Sequence, residues 1–96
     1  MSKTIDQIPE SDRPREKLLS KGAPALSDQE LLAVLLGKGT PGMDVMTLAG
    51  KLARLIDEKG LKVTAEELMQ FEGVGDAKAT LILAAIEFAR RRIKPE

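Results

Sequence analysis

The chain has 96 residues, of which 43% are apolar and 31% are charged. This composition predicts one small soluble domain with a hydrophobic core, and it excludes an intrinsically disordered chain. The 15 basic and 15 acidic residues cancel to a net charge of zero, so any contact with nucleic acid must be local and weak.

Two residue types that build catalytic and metal sites are absent from the sequence. Without cysteine there are no disulfides or thiolate metal sites, and without histidine the commonest metal ligand and general base are missing. Residues 1–10 lack the apolar core of a signal peptide, and no apolar run is long enough to span a bilayer. We therefore expect a cytoplasmic protein with no cofactor of its own and no membrane partner.

The first predicted elements are a flexible arm over residues 1–11 and a short basic helix over 14–21. That helix opens the domain, predicted to cover residues 12–93, with Asp12 as its N-cap and Gly22 as its end. We interpret its basic residues as solvated surface in preference to a DNA contact, since exposure is usual for such side chains. They are Arg13, Arg15, Lys17 and Lys21.

Two longer helices follow, and each has a clear start signal. Ser27 and Glu30 form a capping box before a nearly uninterrupted apolar run to residue 36, which predicts a helix central to the core. The glycine-rich stretch 37–42 ends this helix. Asp44 then caps an amphipathic helix, in which apolar residues recur every three or four positions until Gly60.

The most specific pattern is a glycine-rich connection between the last two predicted helices. Thr64 and Glu67 form a capping box that predicts a short helix over 64–71, and residues 77–92 contain neither Gly nor Pro, which predicts a long one. Between them, Gly73 and Gly75 flank Val74. In the long helix the residues predicted to be buried are Leu81, Ile82, Leu83, Ile86 and Phe88.

Each residue of this connection has a predicted role. Gly73 takes the left-handed conformation that ends the first helix, and Val74 points into the core. Gly75 lets another molecule come close to the backbone, and a side chain there is expected to clash with the tight turn. The N–H groups from Gly75 to Ala77 lie at a helix N-terminus, which favours a phosphate. This pattern is typical of a helix-hairpin-helix motif.

The charged residues next to the hairpin leave open whether its amides bind a phosphate or are occupied by Asp76. Glu72 and Asp76 oppose an incoming phosphate, and Asp76 is also suited to capping the helix and occupying its amides. Lys78 in the first turn attracts a phosphate. The predicted DNA-phosphate site is Gly73, Val74, Gly75, Asp76, Ala77 and Lys78, with secondary basic contacts at Lys38, Arg90, Arg91 and Arg92.

The expected fold is an all-α bundle of about five helices that contains this motif and no strand. Residues 27–56 repeat the order helix, glycine-rich turn, helix that is found over 64–92. We interpret this either as a degenerate tandem pair of hairpins or as two unrelated helices that end at glycine.

Three stretches, with the hairpin, carry a family pattern. They are Arg13–Leu19 (RPREKLL), Ala25–Leu36 (ALSDQELLAVLL) and Gly39–Gly42 (GTPG). Together they resemble the N-terminal domain of RadC-type DNA repair proteins over residues 8–92. The resemblance implies a helix-hairpin-helix domain before a metalloprotease-like JAB/MPN domain with a His-x-His and Asp zinc site. Because this chain has no histidine, we expect it to contain only the N-terminal domain. The resemblance implies that the JAB/MPN-like domain is its partner.

The sequence thus predicts a weak, non-sequence-specific DNA-binding module of a repair-associated protein. The alternative is a structural or protein-interaction domain that does not bind DNA, and the neutral net charge favours it. The hairpin region also resembles DNA glycosylases, but after Asp76 the only acidic residues are Glu87 and Glu96, and no base partner accompanies them. We therefore expect no catalytic residue, no metal site and no enzyme activity in this chain.

Overall fold

Five α-helices make up the parts of the chain that the structure, a computed structural model, describes: residues 13–37 and 44–93. They are α1 (Pro14–Lys21), α2 (Asp28–Leu36), α3 (Val45–Lys59), α4 (Ala65–Met69) and α5 (Asp76–Arg90). Short 3₁₀ segments at Ala23–Ala25 and Gly60–Lys62 connect α1 to α2 and α3 to α4. These two ranges contain no strand, and none of their helices is long and apolar enough to cross a bilayer. The all-α prediction is confirmed, while the predicted N-terminal arm lies outside the described residues.

The predicted capping residues begin α2, α3 and α4. Glu30 N–H donates to Ser27 Oγ at 3.2 Å, and Ser27 N–H donates to Glu30 Oε1 at 2.9 Å. Thr64 and Glu67 form the same reciprocal pair, and Asp44 caps α3. Each cap pairs an amide that would otherwise be an unsatisfied donor, and is worth about 1 kcal/mol.

Helix α1 covers the predicted residues but begins differently from the prediction. Its N-cap is Arg13, which makes no side-chain capping bond, and the predicted cap Asp12 lies outside the described residues. Pro14 starts the helix instead, because its ring fixes φ and it has no N–H to satisfy. Lys17 Nζ lies 3.1 Å from Glu30 Oε2 and joins α1 to α2. This basic residue therefore contributes to the fold.

The core is a continuous cluster of aliphatic side chains from α2 to α5. Helix α2 packs against α3, and α4 packs against α5. The largest fully buried side chains of the cluster are Leu48, Leu52 and Leu68, all 0% exposed, and Ile82 at 1%. The cluster consists of Ala33, Leu36, Val45, Leu48, Ala49, Leu52, Val63, Leu68, Val74, Ala79 and Ile82. No polar side chain of the described residues is buried with them, so burial of apolar surface stabilises this fold.

The predicted burial of Leu81 and Phe88 in α5 is wrong. Leu81 is 42% exposed and Phe88 is 60% exposed. Helix α5 turns one stripe to the core, at spacings of three and four residues, and both side chains lie outside it. That stripe carries Ala79, Ile82, Leu83 and Ile86.

Acidic pH is expected to destabilise this fold. The backbone N–H of each N-cap residue, Ser27 and Thr64, lowers the pKa of its capping-box partner, Glu30 or Glu67, below the usual 4.5. Hydrogen bonds from two arginines lower the pKa of Glu87 to about 2. Carboxylates whose pKa falls on folding stabilise the native state above their unfolded pKa, and this stabilisation disappears as the pH falls through the folded pKa. Thermal melting followed by circular dichroism should show a melting temperature that falls steadily below about pH 4.5.

The matched variant for this pH dependence is Glu67→Gln. Glutamine keeps the capping geometry but does not titrate. We expect its melting temperature to fall less steeply in acid than that of the parent chain. A melting temperature that stays constant or rises between about pH 4.5 and pH 2 would contradict the stabilising role of these carboxylates.

Candidate nucleic-acid interface

The connection between α4 and α5 forms the predicted tight turn. Gly73 has a φ of 88°, in the left-handed region that favours glycine. Val74 N–H donates to the carbonyl oxygen of Phe71 at 3.1 Å, which closes the turn. The Val74 side chain is only 5% exposed and fixes the turn to the core. The structure therefore confirms the predicted conformation of Gly73 and the predicted burial of Val74.

Helix α5 begins with backbone N–H groups that have no acceptor among the described residues. Gly75 is the N-cap and has no side chain with which to accept from them. The first paired amide is that of Ala79, which donates to the carbonyl oxygen of Gly75 at 3.0 Å. The amides of residues 75–78 thus remain available at the positive end of the α5 dipole, where an anion is favoured.

Asp76 does not cap α5. This excludes the alternative that its carboxylate occupies the first amides of the helix. It is the first residue of the helix, it is exposed, and its carboxylate has no hydrogen-bond partner within the described ranges. The amides are therefore not occupied by Asp76, although its negative charge and that of Glu72 stay close to them. No three potential ligand side chains in the described parts of the chain lie together in a way that would hold a metal ion.

The space in front of Gly75 is open. A Cβ atom built on this residue would meet no atom within 4 Å, and its φ of −100° is accessible to any residue. The predicted clash of a side chain at Gly75 with the turn is therefore wrong. A side chain there would instead extend into open space beside the N-terminus of α5.

Lys78 adds a positive charge to the same end of α5. It lies in the first turn of the helix, is half-buried, and forms no ion pair with any described residue. Its ammonium group is therefore available for an anion that approaches the amides of Gly75 to Ala77. The structure thus places the predicted primary site, residues 73–78, in the turn and the first turn of α5, where Val74 is buried, Lys78 is half-buried and the other four residues are exposed.

The three arginines among the predicted secondary contacts do not belong to this compact site. Arg90 lies twelve residues after Lys78 on the same helix, about 18 Å away at 1.5 Å per residue. The Arg90 Nε and Nη2 atoms donate to Glu87 at 2.8 and 2.7 Å, and Arg91 Nε donates to it at 2.7 Å. The guanidinium of Arg92 lies 3.6 Å from the centroid of the Phe88 ring. Such exposed pairs are weak, so they do not prevent a phosphate contact.

Two related predictions fall on residues that the structure does not describe. Lys38, the other predicted secondary contact, lies in the segment 38–43. This segment also contains most of the first glycine-rich turn, on which the interpretation as a tandem pair of hairpins depends. Both therefore stay predictions.

The fold and this turn define a small helical domain with an open, glycine-containing turn before its last helix. The family model described as UPF0758 N-terminal matches residues 5–80, and the chain belongs to this family. This agrees with the prediction that the chain is the N-terminal domain of a RadC-like family.

The chain is also similar to several longer proteins of the same description. A UPF0758 protein from Aquifex aeolicus (strain VF5) is 45% identical over 89 residues, which are 93% of this chain and 38% of the relative. One from Carboxydothermus hydrogenoformans is 48% identical over 93 residues, 95% of this chain and 41% of the relative. The chain thus spans about two-fifths of the length of these relatives. No solved structure matches it significantly.

Proposed function

We propose that this chain is a weak, non-sequence-specific DNA-binding domain that contacts backbone phosphate through a helix-hairpin-helix turn. The observation that carries the proposal is the run of unpaired amides at residues 75–78, with open space around Gly75 and with Lys78, which forms no ion pair with a described residue, in the first turn of the same helix. A helix N-terminus with unpaired amides is a site for phosphate groups. The association with DNA repair comes from the resemblance to RadC-type proteins.

The same geometry explains why the proposed binding is both non-specific and weak. Backbone amides recognise phosphate oxygens, which are the same at every base pair and therefore carry no sequence information. The protein has no net positive charge, and Glu72 and Asp76 repel a phosphate that approaches the turn. We therefore propose contacts to only two or three phosphates.

A DNA titration at increasing salt tests this function. A labelled duplex should bind with a slope of log affinity against log salt of about −2 to −3, and two unrelated duplex sequences should bind equally. Amide chemical-shift changes on addition of DNA should centre on residues 73–78. An absence of binding at low ionic strength, or shift changes confined to other helices, would contradict the proposal.

The second candidate is a structural or protein-interaction domain that does not bind DNA. The neutral net charge and the two carboxylates beside the turn favour it. In this case the turn serves only to bury Val74, and DNA leaves the amide spectrum unchanged. In both cases we propose that the chain has no enzyme activity of its own and that the JAB/MPN-like domain implied by the resemblance is its partner.

A further inference from the structure

An apolar groove lies between the 3₁₀ segment after α3 and the C-terminal end of α5. It has a volume of about 330 Å³ and is lined by Leu61, Ile86, Ala89, Arg90 and Ile93. Leu61 is 67% exposed and Ile93 is 76% exposed. Large aliphatic side chains that are this exposed and line one groove indicate a surface that another apolar surface covers. We call this surface the α5 groove.

The chemistry of the α5 groove suits an apolar occupant. Arg90 is its only charged lining residue, and its guanidinium group already donates two hydrogen bonds to Glu87. A second groove, of about 300 Å³, shares Ile86 and lies between α2, α3 and α5, where six apolar residues and two aspartates line it. Apolar lining residues therefore continue from the end of α5 onto two further helices.

The described chain ends at the α5 groove. Ile93 N–H donates to the carbonyl oxygen of Ala89 at 3.1 Å, which continues the last turn of α5 and holds Ile93 at the edge of the groove. The family match is to an N-terminal domain, and the matched segments make up only 38% and 41% of the two relatives. In such longer proteins the polypeptide that follows Ile93 therefore begins at the edge of the groove. A tethered segment has an effective concentration of up to about millimolar, so a modest apolar contact is sufficient for docking.

We propose that the α5 groove docks an apolar segment of the polypeptide that follows this N-terminal domain in the longer members of the family. Burial of Leu61 and Ile93 by that segment supplies the driving force, since removing large aliphatic side chains from water is favourable. The docking site lies at the opposite end of α5 from the turn proposed to bind DNA, and it does not depend on DNA binding.

The test measures how much more slowly a cysteine placed in the groove reacts with maleimide when the chain is extended at its C-terminus. The 96-residue chain is compared with an extended chain, in which the C-terminal remainder of the Carboxydothermus hydrogenoformans relative continues from Glu96. Because the 96 residues include no cysteine, Leu61→Cys introduces a single maleimide-reactive thiol in the groove. Leu19→Cys on α1, where Leu19 is 79% exposed, is the matched control. Peptide mapping by mass spectrometry distinguishes these thiols from any in the added part.

We expect Leu61→Cys and Leu19→Cys to react at similar rates in the 96-residue chain. In the extended chain Leu61→Cys should react about tenfold more slowly, as expected if the open state is populated about 10% of the time, and Leu19→Cys should not change. Adding Ile93→Asp to the extended chain should restore the rate at position 61, because it places a charge in the groove. Failure to restore it would mean that the protection arises elsewhere, which would overturn the proposal.

Two further outcomes would also overturn it. The first is equal reactivity of Leu61→Cys in the short and extended chains. The second is protection in the 96-residue chain that increases with protein concentration, since a second copy would then cover the groove. Hydrogen exchange of the intact Carboxydothermus hydrogenoformans relative and its N-terminal segment gives an independent measurement on a natural protein. Amides aligned with residues 86–93 should exchange more slowly in the intact protein, and equal exchange there would likewise overturn the proposal.

Discussion

Replacing Leu68 by alanine is expected to lower the free energy of unfolding by about 2–5 kcal/mol. Leu68 belongs to the short helix α4 and is 0% exposed, in contact with the aliphatic cluster that links α4 to the rest of the fold. Truncation removes apolar contacts and leaves a cavity that the surrounding helices fill only in part. Small domains have a total stability of about 5–15 kcal/mol, so this one change removes a large share of it.

Urea unfolding followed by circular dichroism measures this effect, and Leu81→Ala is the matched control. Leu81 is 42% exposed on α5, so the same truncation there should cost less than about 1 kcal/mol. Alanine is also the best helix former, which offsets part of the loss. Equal destabilisation by the two substitutions would contradict the arrangement in which only one stripe of α5 faces the core.

Replacing Lys78 by glutamate is expected to weaken DNA binding about tenfold, since a charge-assisted contact is worth about 1.5 kcal/mol or more. Lys78 lies in the first turn of α5, beside the amides proposed to hold the phosphate, and forms no ion pair with the described residues. Loss of one phosphate contact should also make the salt slope shallower by about 1. The fold should be unaffected, because a negative charge near a helix N-terminus is favourable.

The matched control for Lys78→Glu is Lys51→Glu. Lys51 is an exposed residue of α3, and its reversal changes the net charge by the same amount. Fluorescence anisotropy with a labelled duplex should show a much smaller loss of affinity for this variant. If the two variants lose affinity equally, binding depends on overall charge and not on the turn before α5, and the proposed site is wrong.

Helix α5 connects the two proposals. Its N-terminus carries the open amides and Lys78, and its C-terminus carries the α5 groove with Ile86 and Ile93. The helix has no internal Gly or Pro and is held by buried Ala79 and Ile82. A rigid helix of this kind would hold the proposed DNA contact and the docked polypeptide at a constant separation.

Neither Leu61 nor Ile93 was singled out by reasoning from the sequence. Leu61 stands alone between Gly60 and Lys62, and Ile93 follows three consecutive arginines, so neither belongs to a periodic apolar pattern. A signal was present, because each is a large aliphatic residue with a basic residue beside it in the sequence. That signal becomes interpretable only when the fold places both residues beside Ile86.

Sequence alone determined the helices in the described parts of this protein and the tight turn before α5. Capping boxes, proline and the positive φ of Gly73 act over a few neighbouring bonds, so their effect can be predicted from nearby residues. The tertiary structure decided which apolar residues of α5 are buried and that Leu61 and Ile93 share a groove. These features depend on how one helix is rotated against another, and many side chains distant in the sequence determine that rotation together.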